Sequence, residues 1–110
     1  MERFEELNKN YINGEWVEGL SERKYENLNP YDGTVIQTIQ LATSQQLEQA
    51  FLNAKEAQKE WGKTSSEERE EVLRKTAEFF KKNRDEIVKV ISRETGGSFI
   101  KANVELDLTV

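Results

Sequence analysis

The hydrophobic period of the chain changes once, between Leu41 and Thr43, and that change limits what each half can fold into. Before it, Thr34 to Leu41 (TVIQTIQL) alternates, with Val35, Gln37, Ile39 and Leu41 on one side and Ile36, Thr38 and Gln40 on the other. A period of two with this β-branched content predicts a strand covered at least in part on both faces. After it, Leu47, Ala50, Phe51, Ala54, Ala57 and Trp61 recur at helical spacing, which predicts an amphipathic helix with one apolar stripe. The chain therefore reads as an α+β segment, mainly strands over 1–41 and mainly helices over 43–110. No repeat, low-complexity tract or linker interrupts it, so it reads as one continuous unit.

Turn and cap chemistry places the boundaries. Asn13-Gly14 inside YINGEWV tolerates the positive φ values of a hairpin turn. Lys24 to Leu28 forms a further strand, ended by Asn29-Pro30, because the residue before proline is pushed to extended geometry. Tyr31-Asp32-Gly33 then reads as a turn. Thr43 with Gln46 is a capping box for the first helix, and Gly62 stops it. Thr64 with Glu67, or Ser65 with Glu68, opens a second helix whose buried face is expected at Val72, Leu73, Thr76, Ala77, Phe79 and Phe80. The chain turns around Asn83, and Asp85 is placed to cap a third helix carrying Ile87, Val88 and Ile91. Gly96-Gly97 ends it. The last segment admits two readings. Val104, Leu106, Leu108 and Val110 alternate as a strand would, whereas Ser98 followed by Phe99, Ala102, Leu106 and Thr109 fits a capped helix. Spacing alone does not decide.

Composition excludes several functions. The hydrophobic fraction of 35% and the charged fraction of 34% leave little core for so much charged surface, which fits a piece whose core is completed by something else. A net charge of −5 with no basic face argues against nucleic acid as a partner. Cysteine and histidine are absent, which removes disulfides, zinc–thiolate sites, a thiol nucleophile and the commonest general base. MERFEELNKN has no apolar segment, so neither a signal peptide nor a membrane span is expected, and the location reads as cytoplasmic. Glu67, Glu68, Glu70 and Glu71 sit where they complement a helix dipole and need no metal. Gly96-Gly97 lacks the spaced glycines and the lysine of a phosphate loop. No nucleophile–base pair can be assembled.

The order of these pieces carries more than any one of them. YINGEW, then NLNPYDGTVI, then a helix ending in QKEW, then EER with Leu73 following, then ETGG, resembles the N-terminal portion of the aldehyde dehydrogenase superfamily from about Tyr11 onward. The resemblance implies an α/β fold, with a β arm followed by the first strand and helices of a cofactor-binding domain, incomplete in this chain, and a helix after the glycine pair. It implies NAD(P)-dependent oxidation of an aldehyde to a carboxylic acid through a cysteine that lies downstream. On that reading the segment alone is inactive, with no catalytic or dinucleotide-binding residue of its own. The whole enzyme would be a homodimer or homotetramer using NAD or NADP. The resemblance also carries over a monovalent-cation site, sodium or potassium, to Asn27, Leu28 and Glu94, the last one methylene longer than the aspartate of several members. It carries over a substrate tunnel to Val104 and Leu108. Many members have Gly-Lys-Pro after the acidic residue. Gly96-Gly97-Ser98 with Lys101 to Glu105 looks closer to the branch acting on benzaldehyde and vanillin. The rival reading is a self-contained acidic helical module that binds a protein partner.

Overall fold

The computed structural model describes Leu7 to Val110. The reading of the N-terminus as carrying no leader falls mostly on Met1 to Glu6, outside the described residues. Four strands precede four helices: β1 (Asn10–Ile12), β2 (Glu15–Val17), β3 (Lys24–Leu28), β4 (Val35–Gln40), α1 (Ser44–Trp61), α2 (Ser66–Lys82), α3 (Arg84–Thr95) and α4 (Phe99–Thr109). Among the described residues they fall into two compact units, 7–27 with Gln37–Lys63, and Leu28–Ile36 with Thr64–Val110.

In the first unit β1 and β2 pair antiparallel, with Tyr11 opposite Trp16 and Ile12 opposite Glu15. Asn13 (φ 53°) and Gly14 (φ 81°) make the turn, the pair of positive φ values that a two-residue hairpin needs. The Tyr11 and Trp16 rings meet at a tilt of 58°, with centroids 4.9 Å apart. β3 and β4 make a second two-stranded sheet, and the alternating segment is half-buried on both faces of β4, as expected. Gly19 lies buried against the end of β4, where a Cβ would overlap the Gln40 and Leu41 carbonyl oxygens. Ser21 N donates to the Leu41 carbonyl and Leu41 N to that of Arg23, both at 3.0 Å.

The capping box at Thr43 forms as read, and its glutamine does more than cap. Gln46 Oε1 accepts from Thr43 N (3.1 Å) and from Leu20 N (2.9 Å), while its Nε2 donates to the Glu18 carbonyl (2.8 Å). The apolar stripe of α1 lies mostly uncovered: Ala50 is half-buried, whereas Phe51 is 70% exposed and Leu47 and Trp61 are exposed too. The hairpin meets α1 on the side that carries Ala50, Asn53, Ala54 and Ala57.

In the second unit Ser65 with Glu68 supplies the box that opens α2. Its expected buried face is corrected. Ala77 and Phe80 are half-buried, whereas Val72, Leu73, Thr76 and Phe79 stay exposed, because α3 meets only the last turns of α2. Asp85 does not cap α3. The N-cap is Asn83, whose Nδ2 turns back to the Phe79 carbonyl (2.8 Å), and Asp85 sits in the first turn. Gly96 closes α3 in the left-handed region (φ 67°). A Cβ there would lie 2.9 Å from Pro30 Cγ, so glycine answers both a backbone and a packing demand.

The terminal segment is a helix, α4, with Ser98 Oγ accepting from Lys101 N at 3.2 Å. Its alternation has a physical reason. Residues two apart on a helix point about 200° from each other, so a short period-two run marks two opposite apolar faces. One face, Ala102 and Leu106, is buried with Val88 of α3, and Phe80, Ile87 and Ile91 pack around it. The other, Ile100, Val104 and Leu108, is exposed. Leu106 (3% exposed) and Leu108 (84%) should therefore differ sharply in their contribution to stability. Leu106→Ala is expected to lower unfolding stability by about 2–4 kcal/mol. Leu108→Ser should change it by less than about 0.5 kcal/mol, both read from urea unfolding curves.

Candidate functional site

The residues singled out for chemistry lie on the C-terminal end of β3, the end of α3 and the outer face of α4. Asn27 and Leu28 end β3; Asn27 is half-buried in the first unit, while Leu28 and Glu94 belong to the second. Glu94 is exposed in the last turn of α3. Val104 and Leu108 do share a face of α4. Ile100 completes that stripe and was not singled out from sequence, although its spacing of four from Val104 marks it.

α4 is held in place by polar contacts on its flank. Arg84, the first residue of α3, donates Nε–H to Asn103 Oδ1 (3.0 Å) and Nη1–H to Asp107 Oδ1 (2.7 Å). Asn103 and Asp107 are one turn apart, so one guanidinium fork spans both. Ser92 Oγ donates to the Gly97 carbonyl at 2.6 Å and ties the α3–α4 connection down. Beside this connection lies a cleft of about 430 Å³ lined by Asn29, Tyr31, Arg93, Gly97, Ser98 and Phe99 among others, which the sequence reading did not foresee.

The described residues hold no cluster of three or more histidine, cysteine or carboxylate groups able to bind a metal ion. A dinucleotide finds no cradle at the N-terminus of α1. Its pyrophosphate needs open backbone donors at a glycine-bearing helix N-terminus. The helix after β4 is closed instead by the reciprocal bonds of Thr43 and Gln46, and Leu41-Ala42 brings no glycine. Among the described residues no helix is long and apolar enough to cross a membrane.

Residues 16–110 match the sequence profile of the aldehyde dehydrogenase family. The chain belongs to the aldehyde dehydrogenase family. AldY of Bacillus subtilis (strain 168), an aldehyde dehydrogenase by name, is 51% identical over 107 residues, 97% of this chain and 22% of AldY. Malonate-semialdehyde dehydrogenase 2 of Bacillus thuringiensis (strain Al Hakam) is 41% identical over 98 residues, 89% of this chain and 20% of that protein. The crystal structure of an NAD-dependent benzaldehyde dehydrogenase from Corynebacterium glutamicum superposes with a TM-score of 0.88 at 40% identity, over 92% of this chain and 22% of that one. The chain thus spans about a fifth of the length of the curated relatives it matches. The strand-then-helix order read from the sequence is that of an aldehyde dehydrogenase segment.

In this aldehyde dehydrogenase segment the Arg84 clasp is sensitive to acid. The hydrogen bond from Arg84 and its charge hold the Asp107 carboxyl below the usual carboxylate range, and Asp107 in turn raises Arg84. A depressed carboxylate contributes stability above its unfolded value and loses it as pH falls through the folded one. Urea midpoints followed from neutral pH downward should therefore fall less steeply in Asp107→Asn than in the parent. Parallel curves would place the pH dependence elsewhere.

Proposed function

We propose that this chain is the N-terminal part of an NAD-dependent dehydrogenase that oxidises an aromatic aldehyde to the carboxylic acid. The observation that carries the substrate class is the exposed stripe Ile100, Val104 and Leu108, three uncharged side chains in line on α4. Such a surface suits a phenyl ring. A substrate with its own carboxylate needs a cation there, and the nearest one along α4, Lys101, is paired with Glu105 at 3.7 Å. The benzaldehyde dehydrogenase relative supports this reading, and the malonate-semialdehyde relative is the competing substrate class. NAD rather than NADP follows the name of the first of these. The reacting thiol and the dinucleotide site belong to residues beyond these, since the chain has no cysteine and α1 is closed at its N-terminus. The complete enzyme is proposed to be cytoplasmic and a homodimer or homotetramer, in keeping with the large apolar side chains that α1 and α2 leave exposed.

The test is an NAD reduction assay on the protein at its full encoded length, with benzaldehyde, vanillin and malonate semialdehyde side by side. Activity is expected with the aromatic pair. Leu108→Phe should raise KM for vanillin several-fold and leave that for acetaldehyde nearly unchanged. An equal effect on both would remove Val104 and Leu108 from the substrate route.

The monovalent cation is proposed to take the Glu94 carboxylate and main-chain carbonyl oxygens at Asn27 and Leu28, a donor set that suits sodium or potassium. Glu94→Gln should flatten the potassium dependence of the thermal midpoint. An unchanged dependence would rule Glu94 out as a ligand.

A further inference from the structure

We propose that Asn13 is a site of spontaneous covalent modification, deamidating by attack of the Gly14 main-chain nitrogen on its side chain. In that step Gly14 N bonds to Asn13 Cγ while the side-chain amide nitrogen leaves as ammonia, carrying the displaced proton. Water then opens the five-membered imide at either carbonyl, giving aspartate or isoaspartate. No oxidant or reductant is involved.

Four observations single out this position. Asn13 is the only asparagine in the chain followed by glycine. Both residues are exposed, glycine brings no Cβ to shield the attacking nitrogen, and a side chain built at position 14 would meet nothing within 4 Å. Neither the Asn13 side chain nor the Gly14 amide makes a hydrogen bond within the described residues. The turn is held by strands of three residues each, short enough for local opening to supply the ψ rotation that attack requires.

The chain contains its own control at Asp32-Gly33, its one aspartate followed by glycine. There Asp32 Oδ1 accepts from Thr34 N (3.0 Å) and Thr34 Oγ1 (2.7 Å), and Gly33 N donates to the Asn29 carbonyl (2.8 Å). Those bonds to Thr34 also hold the Asp32 carboxyl below its ordinary value, away from the neutral form whose hydroxyl could leave. The same ring closure is blocked at both of its partners there and at neither in the hairpin. Isoaspartate at position 13 would insert a methylene into the main chain beside the Ile12–Glu15 pair and add a negative charge.

The experiment is peptide mapping of the protein at its full encoded length after storage in warm, mildly alkaline buffer. Expected is an amide-to-acid mass change at Asn13, split between aspartate and isoaspartate, several-fold faster than at any other asparagine. Asp32 should stay unisomerised. Isoelectric focusing should show a new acidic species that Asn13→Gln abolishes. The proposal fails if Asn13 stays intact in the folded protein while the urea-unfolded chain deamidates there. It fails equally if another asparagine converts first.

Discussion

One glutamine side chain organises the first unit. Gln46 satisfies three main-chain groups, two from the segment after β2 and one at the start of α1. An amide is suited to this because it donates and accepts from adjacent atoms, which a carboxylate cannot do. Glutamate would keep the capping box and lose the bond to the Glu18 carbonyl. Three connecting residues, Leu41 to Thr43, are enough to turn the chain from strand to helix because the cap and the strand-end bonds are in place on either side of them.

The second unit solves a related problem with charge and glycine. Arg84 starts α3 and grips α4 across the junction, so the two helices are fixed at their polar flank as well as through Val88, Ala102 and Leu106. Gly96 gives the reversal between them a left-handed residue that also fits against Pro30. Together these contacts decide which side of α4 faces inward. The opposite side is left to Ile100, Val104 and Leu108. The face proposed for substrate is thus set by groups that do not belong to it.

Local chemistry was legible in the sequence. The Asn13-Gly14 turn, the Thr43 box, the stop at Gly96 and the β-branched run in β4 each depend on residues a few positions apart. Coverage was not legible. Apolar spacing marks a face as buriable but does not say what arrives to bury it, which is why Phe51 and Leu73 lie exposed. The choice between the boxes at Thr64 and Ser65 was equally out of reach, since both pairs have the same chemistry. In the structure Glu68 reaches Ser65 N at 2.8 Å, and the Arg69 guanidinium binds the Thr64 carbonyl. Asp85 was a plausible cap by residue type, but the chain reverses two residues earlier, at Asn83. For the site, the i to i+4 relation of Val104 and Leu108 could be read directly. The clasp from Arg84 could not, because it joins residues about twenty positions apart.

Gly19 offers no side-chain donor, acceptor or apolar surface, yet it sits where the main chain passes close to the end of β4. Even the smallest side chain would press on two carbonyl oxygens of the backbone, which have no rotamer to retreat into. The segment from Glu18 to Ser21 would have to lift away, taking its bonds to Gln46 and Leu41 with it. Mutational tolerance in this chain therefore does not follow chemical importance. The residue with the least chemistry leaves the least room for drift.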